Sequence, residues 1–264
     1  MTKFYTFVNQ KGGVGKTTST INLGAYLAMH GKKVLLIDND PQANATSCLG
    51  ITKNDVKKGI YETLLGQIEI SKTILYNPKV KLSLVPSSPA LAGAEVELIS
   101  LPEREYRLAN AINSLEGQFD YVLIDCPPSL SILTVNGLLA AKDGIIIPVQ
   151  CEYLALEGLG QLMQTINRIK AALYPSLVIR GVLLTMYDSR TNLANDVVEN
   201  IKQYFGDKVF TTIIPRSVRL AEAPSYGYPI SIHAPHSTGA IAYHDLAKEL
   251  LKQDGFYEND IQWV

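Results

Sequence analysis

Seven short runs rich in Val, Ile and Leu recur along the chain: "FYTFV", "KVLLID", "LSLVP", "YVLID", "GIIIPV", "IRGVLL" and "VFTTIIP". None alternates strictly between apolar and polar residues. A strand with one wet face needs that alternation, so these runs read as strands buried on both faces. A mostly parallel twisted sheet flanked by helices on both faces, an α/β fold, meets that requirement. Helical patterns fall at about 16 to 30, 104 to 115, 131 to 141, 155 to 173, 192 to 205 and 238 to 252. The stretch from Thr52 to Pro78 is the least regular and is expected to form small surface helices between the second and third strands. With 264 residues, 47% of them hydrophobic, and no repeat or low-complexity linker, one continuous domain over 1–252 is expected. An acidic and aromatic tail, 253–264, follows it.

A second constraint is the stretch "VNQKGGVGKTT", Val8 to Thr18. Gly15, Lys16 and Thr17 supply the end of the pattern G-x-x-x-x-G-K-[ST], although Gln10 stands where its first glycine belongs. A strand, a glycine-rich turn and a helix in succession wrap backbone N–H groups around an anion, with the positive end of the helix dipole behind them. Gly12, Gly13 and Gly15 permit the close approach, and the loop from Lys11 through Gly12, Gly13, Val14, Gly15, Lys16 and Thr17 to Thr18 is the expected nucleotide contact. Lys16 would reach the β- and γ-phosphates and the Thr17 hydroxyl would ligate Mg²⁺. This is the signature of a P-loop NTPase. Lys11 is left over, a second lysine that the general motif does not require.

Three acids complete the expectation. "KVLLIDND" ends a strand at Asp38 and puts Asp40 in the turn after it, and "FDYVLIDCPP" ends another at Asp125. Ligands of open α/β sheets sit beyond the carboxyl ends of strands, so all three acids can face bound phosphates. Asp125 has the character of a magnesium-holding acid at the end of an apolar strand, Asp38 joins it as a candidate metal residue, and Asp40 is placed to orient an attacking water. Pro41, Pro127 and Pro128 directly follow the acids and favour turns. Asn39, between two of the acids, carries no assigned role.

Composition narrows the alternatives. The formal net charge is −1, so contact with nucleic acid would have to come from a local basic patch and from assembly. Three cysteines without C-x-x-C spacing suggest neither a disulfide framework nor a zinc site, and Cys126 and Cys151 read as buried structural residues in a reducing cytoplasm. His30, His233, His236 and His244 read as ordinary loop histidines, because "SIHAPHST" offers no third ligand. The nucleotide motif starts by residue 11, which leaves no expected room for a leader sequence, and no apolar run approaches the roughly 20 residues of a membrane span.

With these residues in hand the chain resembles the ParA/Soj family of partition ATPases, a branch of the deviant Walker A group that also contains MinD. The stretches that carry the likeness are "NQKGGVGKTT", "DNDPQANATS", "LAGAEVEL", "YVLIDCPPSL", "PVQCEYLALEGL", "GVLLTMYDSRTNL" and "IIPRSVRLAEAPSYG". The resemblance implies ATP and Mg²⁺ as cofactors and a role for Lys11, which would cross a face-to-face homodimer to the partner's ATP. It implies that Asp40 is the hydrolytic aspartate, that Thr17 and Asp125 form the magnesium shell, and that Pro215 and Ser217 lie beside the base. Arg190, Arg216 and Arg219 match basic positions that contact DNA without regard to sequence. A ParB/Spo0J-like centromere-binding protein is the implied partner, and the implied location is the cytoplasm, on the nucleoid.

Two other readings remain open from the residues. A MinD-like membrane switch would need a basic amphipathic C-terminal helix, whereas "AIAYHDLAKELLKQDG" has balanced charges and reads as a core-covering helix. An enzyme of the same fold acting on a small substrate is the other, and neither Cys126 nor Cys151 has the glycine-rich setting of an iron-sulfur reductase.

Overall fold

Six of the seven apolar runs become strands of one seven-stranded sheet. The computed structural model describes residues 1–153 and 155–256. Its strands are β1 Lys3–Phe7, β2 Val34–Asp38, β3 Leu75–Asn77, β4 Leu82–Val85, β5 Tyr121–Asp125, β6 Gly144–Gln150 and β7 Ile179–Thr185, in the spatial order β3-β4-β2-β5-β1-β6-β7. All pairs are parallel except β3 with β4.

Burial on both faces is visible residue by residue. Tyr5, Phe7, Val34, Leu36, Tyr121 and Leu123 enter one core, while their neighbours Phe4, Leu35, Ile37, Val122 and Ile124 enter another. That period of two sends alternate side chains of each strand to opposite layers. The helices that supply those layers are α1 Lys16–Met29, α2 Asn44–Cys48, α3 Ile60–Leu64, α4 Leu91–Glu97, α5 Arg107–Ile112, α6 Ile132–Ala140, α7 Ala155–Ala172, α8 Asn192–Phe205, α9 Val218–Glu222, α10 Ile230–His233 and α11 Thr238–Gln253. Helices α1 and α11 line the first core, α4 to α6 the second, and α7 and α8 a third over β6 and β7.

Several expectations need correction. "VFTTIIP" is not a strand. Phe210 and Ile214 donate to Val182 and Leu184 of β7, but between them the N–H groups of Thr211 and Thr212 go to the two carboxylate oxygens of Glu249 on α11, at 2.7 and 2.9 Å. Side-chain capture of those donors interrupts the ladder and leaves only isolated bridges at Val209 and Pro215. The irregular stretch does hold short helices, at Lys53–Asp55, Ile60–Leu64 and Ile70–Lys72, but it ends in the antiparallel edge strand β3. The helical pattern at 104 to 115 yields only Arg107–Ile112, followed by a single 3₁₀ turn.

The chain end is more integrated than its composition suggests. Asp254 has an almost fully buried side chain that accepts from the hydroxyls of Tyr5 and Tyr121 and from Arg180, at 2.6, 2.9 and 2.9 Å. Phe256 packs on the Tyr121 ring beneath the Lys32 ammonium. Residues 253–256 therefore belong to the packed structure, and the rest of the acidic and aromatic tail, 257–264, lies outside the described residues. His244 is not a loop residue either: it lies within α11 and stacks at 5.1 Å on His30, which caps the end of α1.

Candidate functional site

Strand register brings the three acids and the glycine-rich loop together. Asp38 pairs with Asp125, and Asp125 pairs with Phe7, so β1, β2 and β5 end level at one edge of the sheet. The chain leaves β1 through Val8 and Asn9 into the loop and enters α1 at Lys16. Gly13 and Gly15 take left-handed conformations, φ 75° and 86°, which a side chain would strain. The Thr185 hydroxyl at the end of β7 donates to Val14 O at 2.9 Å and ties the loop to the sheet. The first N–H groups of α1 have no partner within the helix and open into the space the loop encloses.

The two lysines of the loop diverge. Lys16 is buried and folds back to donate to Lys11 O at 3.1 Å. Burial lowers its pKa, against the attraction of Asp125, Cys126 and Asp40. Lys11 turns the other way. Its backbone N–H donates to Asn9 Oδ1 at 3.0 Å, and its ammonium lies 3.8 Å from Glu152, just beyond the end of β6.

Opposite the loop sits a buried acidic group. Thr17 donates to Asp125 Oδ2 at 2.6 Å, and Thr20 reaches Asp125 Oδ1 at 3.4 Å. Asp38 turns its carboxylate toward the following turn and α2: Oδ2 accepts from the N–H and hydroxyl of Thr46, both at 2.7 Å, and Oδ1 from Asp40 N. Asp40 accepts from Gln42 N at 2.9 Å, and its carbonyl takes the Ser87 hydroxyl at 2.8 Å. Burial pushes all three acids up, Asp38 to about 6, and the charge of Asp38 adds to the rise at Asp125.

A divalent cation beside Asp125 and Thr17 would favour the charged carboxylate forms that burial opposes. Among the described residues no three His, Cys, Asp or Glu side chains form a metal cage. Mg²⁺ is usually held by one or two carboxylates with phosphates and water. Thr17 and Asp125 fit such a site directly. Asp38, with both oxygens engaged by Asp40 and Thr46, fits as a support behind it.

A cavity of about 260 Å³ opens beside the loop, lined by Gly15, Thr18, Thr185, Met186, Pro215 and Ser217 among others. The two residues expected beside a base, Pro215 and Ser217, thus share a cavity with the loop.

Known proteins are similar to this chain in sequence and in fold. The AAA domain family matches residues 2–179. The sporulation initiation inhibitor protein Soj of Bacillus subtilis is 52% identical over 250 residues, 95% of this chain and 98% of that protein. The chromosome-partitioning ATPase Soj of Treponema pallidum is 51% identical, over 97% and 99% of the two chains. The chain belongs to the ParA/Soj family of partition ATPases. Solved relatives of this ParA/Soj chain include a cobyrinic acid a,c-diamide synthase from Mycobacterium smegmatis with bound ADP and magnesium, 40% identical with a TM-score of 0.84 over 96% and 95% of the chains. The septum site-determining protein MinD of Pyrococcus horikoshii with Mg-ADP is 27% identical, TM-score 0.76, over 97% and 98%.

The three arginines expected to meet DNA are exposed, and each is engaged by an acid of its own chain. Arg190 makes two bonds to Asp188, at 2.8 and 2.6 Å, and holds that carboxyl well below the usual range. Arg216 meets Glu152 at 3.1 Å and Arg219 meets Glu222 at 2.9 Å. The residues that sequence reasoning missed are the ones that brace the site. Asn39 is fully buried and donates to Leu133 O at 2.8 Å, joining the turn after β2 to α6, so the view of it as a residue without a role is corrected. Thr46, Ser87, Thr185 and Glu152 gave no signal by spacing, because each acts through a neighbour that only folding supplies.

Proposed function

We propose that this chain is a magnesium-dependent ATPase that works as a slow molecular switch. With ATP it forms a homodimer that binds double-stranded DNA nonspecifically, and hydrolysis releases the DNA, which drives chromosome or plasmid partition. The observation that carries this reading is the divergent pair of lysines on one phosphate loop, Lys16 folded inward and Lys11 turned outward, in a chain about half identical to Soj proteins.

In this reading the loop from Lys11 to Thr18 wraps the phosphates, and Lys16 neutralises the β- and γ-oxygens. Thr17 and Asp125, backed by Asp38, hold Mg²⁺, which when bound offsets charge that develops during transfer. Asp40, held by Gln42 and Ser87, orients the attacking water. Pro215 and Ser217 lie beside the base. Lys11 reaches the phosphates of the second subunit, so catalysis depends on dimerisation, and a two-fold interface uses the residue twice. Arg190, Arg216 and Arg219 exchange weak surface ion pairs for DNA phosphates, and the dimer doubles their number. A ParB/Spo0J-like protein stimulates hydrolysis, in the cytoplasm and on the nucleoid.

Likeness to the 40% identical cobyrinic acid a,c-diamide synthase of Mycobacterium smegmatis supports a second reading, an ATP-dependent enzyme acting on a small substrate. Against a MinD-like membrane switch, α11 buries Ala240, Tyr243, Leu246, Ala247, Leu250 and Leu251 in the core.

Binding of a random-sequence duplex with ATP and Mg²⁺, ADP and Mg²⁺ or no nucleotide, at two salt concentrations, separates these readings. The switch predicts salt-sensitive binding with ATP only, together with loss of dimer-dependent hydrolysis in Lys11→Ala. A hydrolysis rate that rises with a metabolite and ignores DNA would favour the small-substrate enzyme and overturn the switch.

A further inference from the structure

Glu152 is the one carboxylate, among the described residues, that touches both outward cations of this site. It follows β6, and its backbone is set by its own N–H donating to Gln150 O at 2.8 Å and by Ala155 N donating to its carbonyl at 2.9 Å as α7 begins. One side-chain oxygen, Oε1, accepts from Arg216 at 3.1 Å and from the amide of Gln150. The other, Oε2, faces the Lys11 ammonium at 3.8 Å. The carboxylate is thus anchored through one oxygen and presents the other to Lys11.

We propose that Glu152 is a positioning residue that keeps Lys11 within its own subunit. Resting on the dimer reading above, the inference adds a restraint: Lys11 leaves Glu152 before it reaches the triphosphate of a second copy. The contact is long and about a third of the Lys11 side chain is exposed, so the restraint is weak enough for a triphosphate to overcome. A symmetric dimer has to break it twice. Glu152 therefore opposes dimerisation until the charge of bound ATP outcompetes it.

The test is the monomer–dimer equilibrium of the full chain at saturating ATP and Mg²⁺, by sedimentation, for wild type, Glu152→Gln, Glu152→Asp and Lys11→Gln with and without Glu152→Gln. Glu152→Gln is expected to tighten the dimer roughly two- to thirty-fold, the effect of removing two exposed ion pairs. The protein concentration for half-maximal hydrolysis should fall by the same factor, with the rate at saturation unchanged. Glu152→Asp, which keeps the charge, should move back toward wild type. In the Lys11→Gln background Glu152→Gln should change nothing. A Glu152→Gln dimer as weak as wild type or weaker, or an equal effect without Lys11, overturns the inference and leaves the switch standing. Wild-type protein that stays monomeric with ATP overturns the switch itself, and this inference with it.

Discussion

Charge burial governs the site at the level of single residues. Lys16, Asp38, Asp40 and Asp125 are all withdrawn from water, and the shifts of lysine and acids away from their charged forms have burial as first cause. Such a site is arranged for a highly charged ligand rather than for its own stability. Asp40 differs from the other two acids, since it sits in the turn and not at a strand end. Asp40→Ala should therefore bind ATP and dimerise but lose at least about a hundred-fold in turnover, as measured by single-turnover hydrolysis. Normal turnover would remove its role in orienting water. Lys16 and Thr17 were legible from a short motif, Asp38 and Asp125 from strand ends, Asp40 from the turn after β2, and Lys11 only from the family resemblance. Glu152 and Ser87 were not, since each meets its partner across a large gap in sequence.

At the scale of elements, the last helix is held at its end as well as along its face. Asp254 joins α11 to β1, β5 and β7 through Tyr5, Tyr121 and Arg180. Asp254→Ala leaves two buried hydroxyls and a half-buried guanidinium short of an acceptor, at a cost of about 2–4 kcal/mol. By calorimetry the melting temperature should fall by roughly 5–10 °C. An unchanged value would mean the network is not a clasp. The α1–α11 contact also carries a pH dependence. Burial and Lys248 lower the His244 pKa, against Asp245, so the unfolded chain takes up the proton first. This contribution is complete above about pH 6.5 and is lost as pH falls through the lower folded value. His244→Phe should narrow the gap between melting temperatures at pH 7 and pH 5, and an equal gap would discount the histidine. Apolar runs made six strands readable, while "VFTTIIP" misled because its β-propensity was overridden by Glu249, a competitor some 40 residues away.

For the whole molecule, a net charge near zero means that the DNA affinity of the proposed switch would be a property of the assembly. Arg190, Arg216 and Arg219 are each neutralised within one chain, so the affinity of a single copy should be low. Arg219→Ala should leave ATP binding near wild type and reduce the slope of log affinity against log salt by about one for each phosphate that the arginine neutralises. An unchanged slope would take Arg219 out of the DNA face.

The sequence by itself determined the strand-and-helix alternation, the phosphate loop and the acids at strand ends, because each is written in a local pattern of period, glycine placement or charge. Tertiary structure alone decided that Asp38 and Asp125 end level, that Thr46 engages Asp38, and that Lys11 and Arg216 share Glu152. The pairing of Asp38 with Asp125 and the sharing of Glu152 join residues far apart in the chain, and the Thr46 contact depends on how the turn after β2 folds back, so none of them is written in a local sequence pattern.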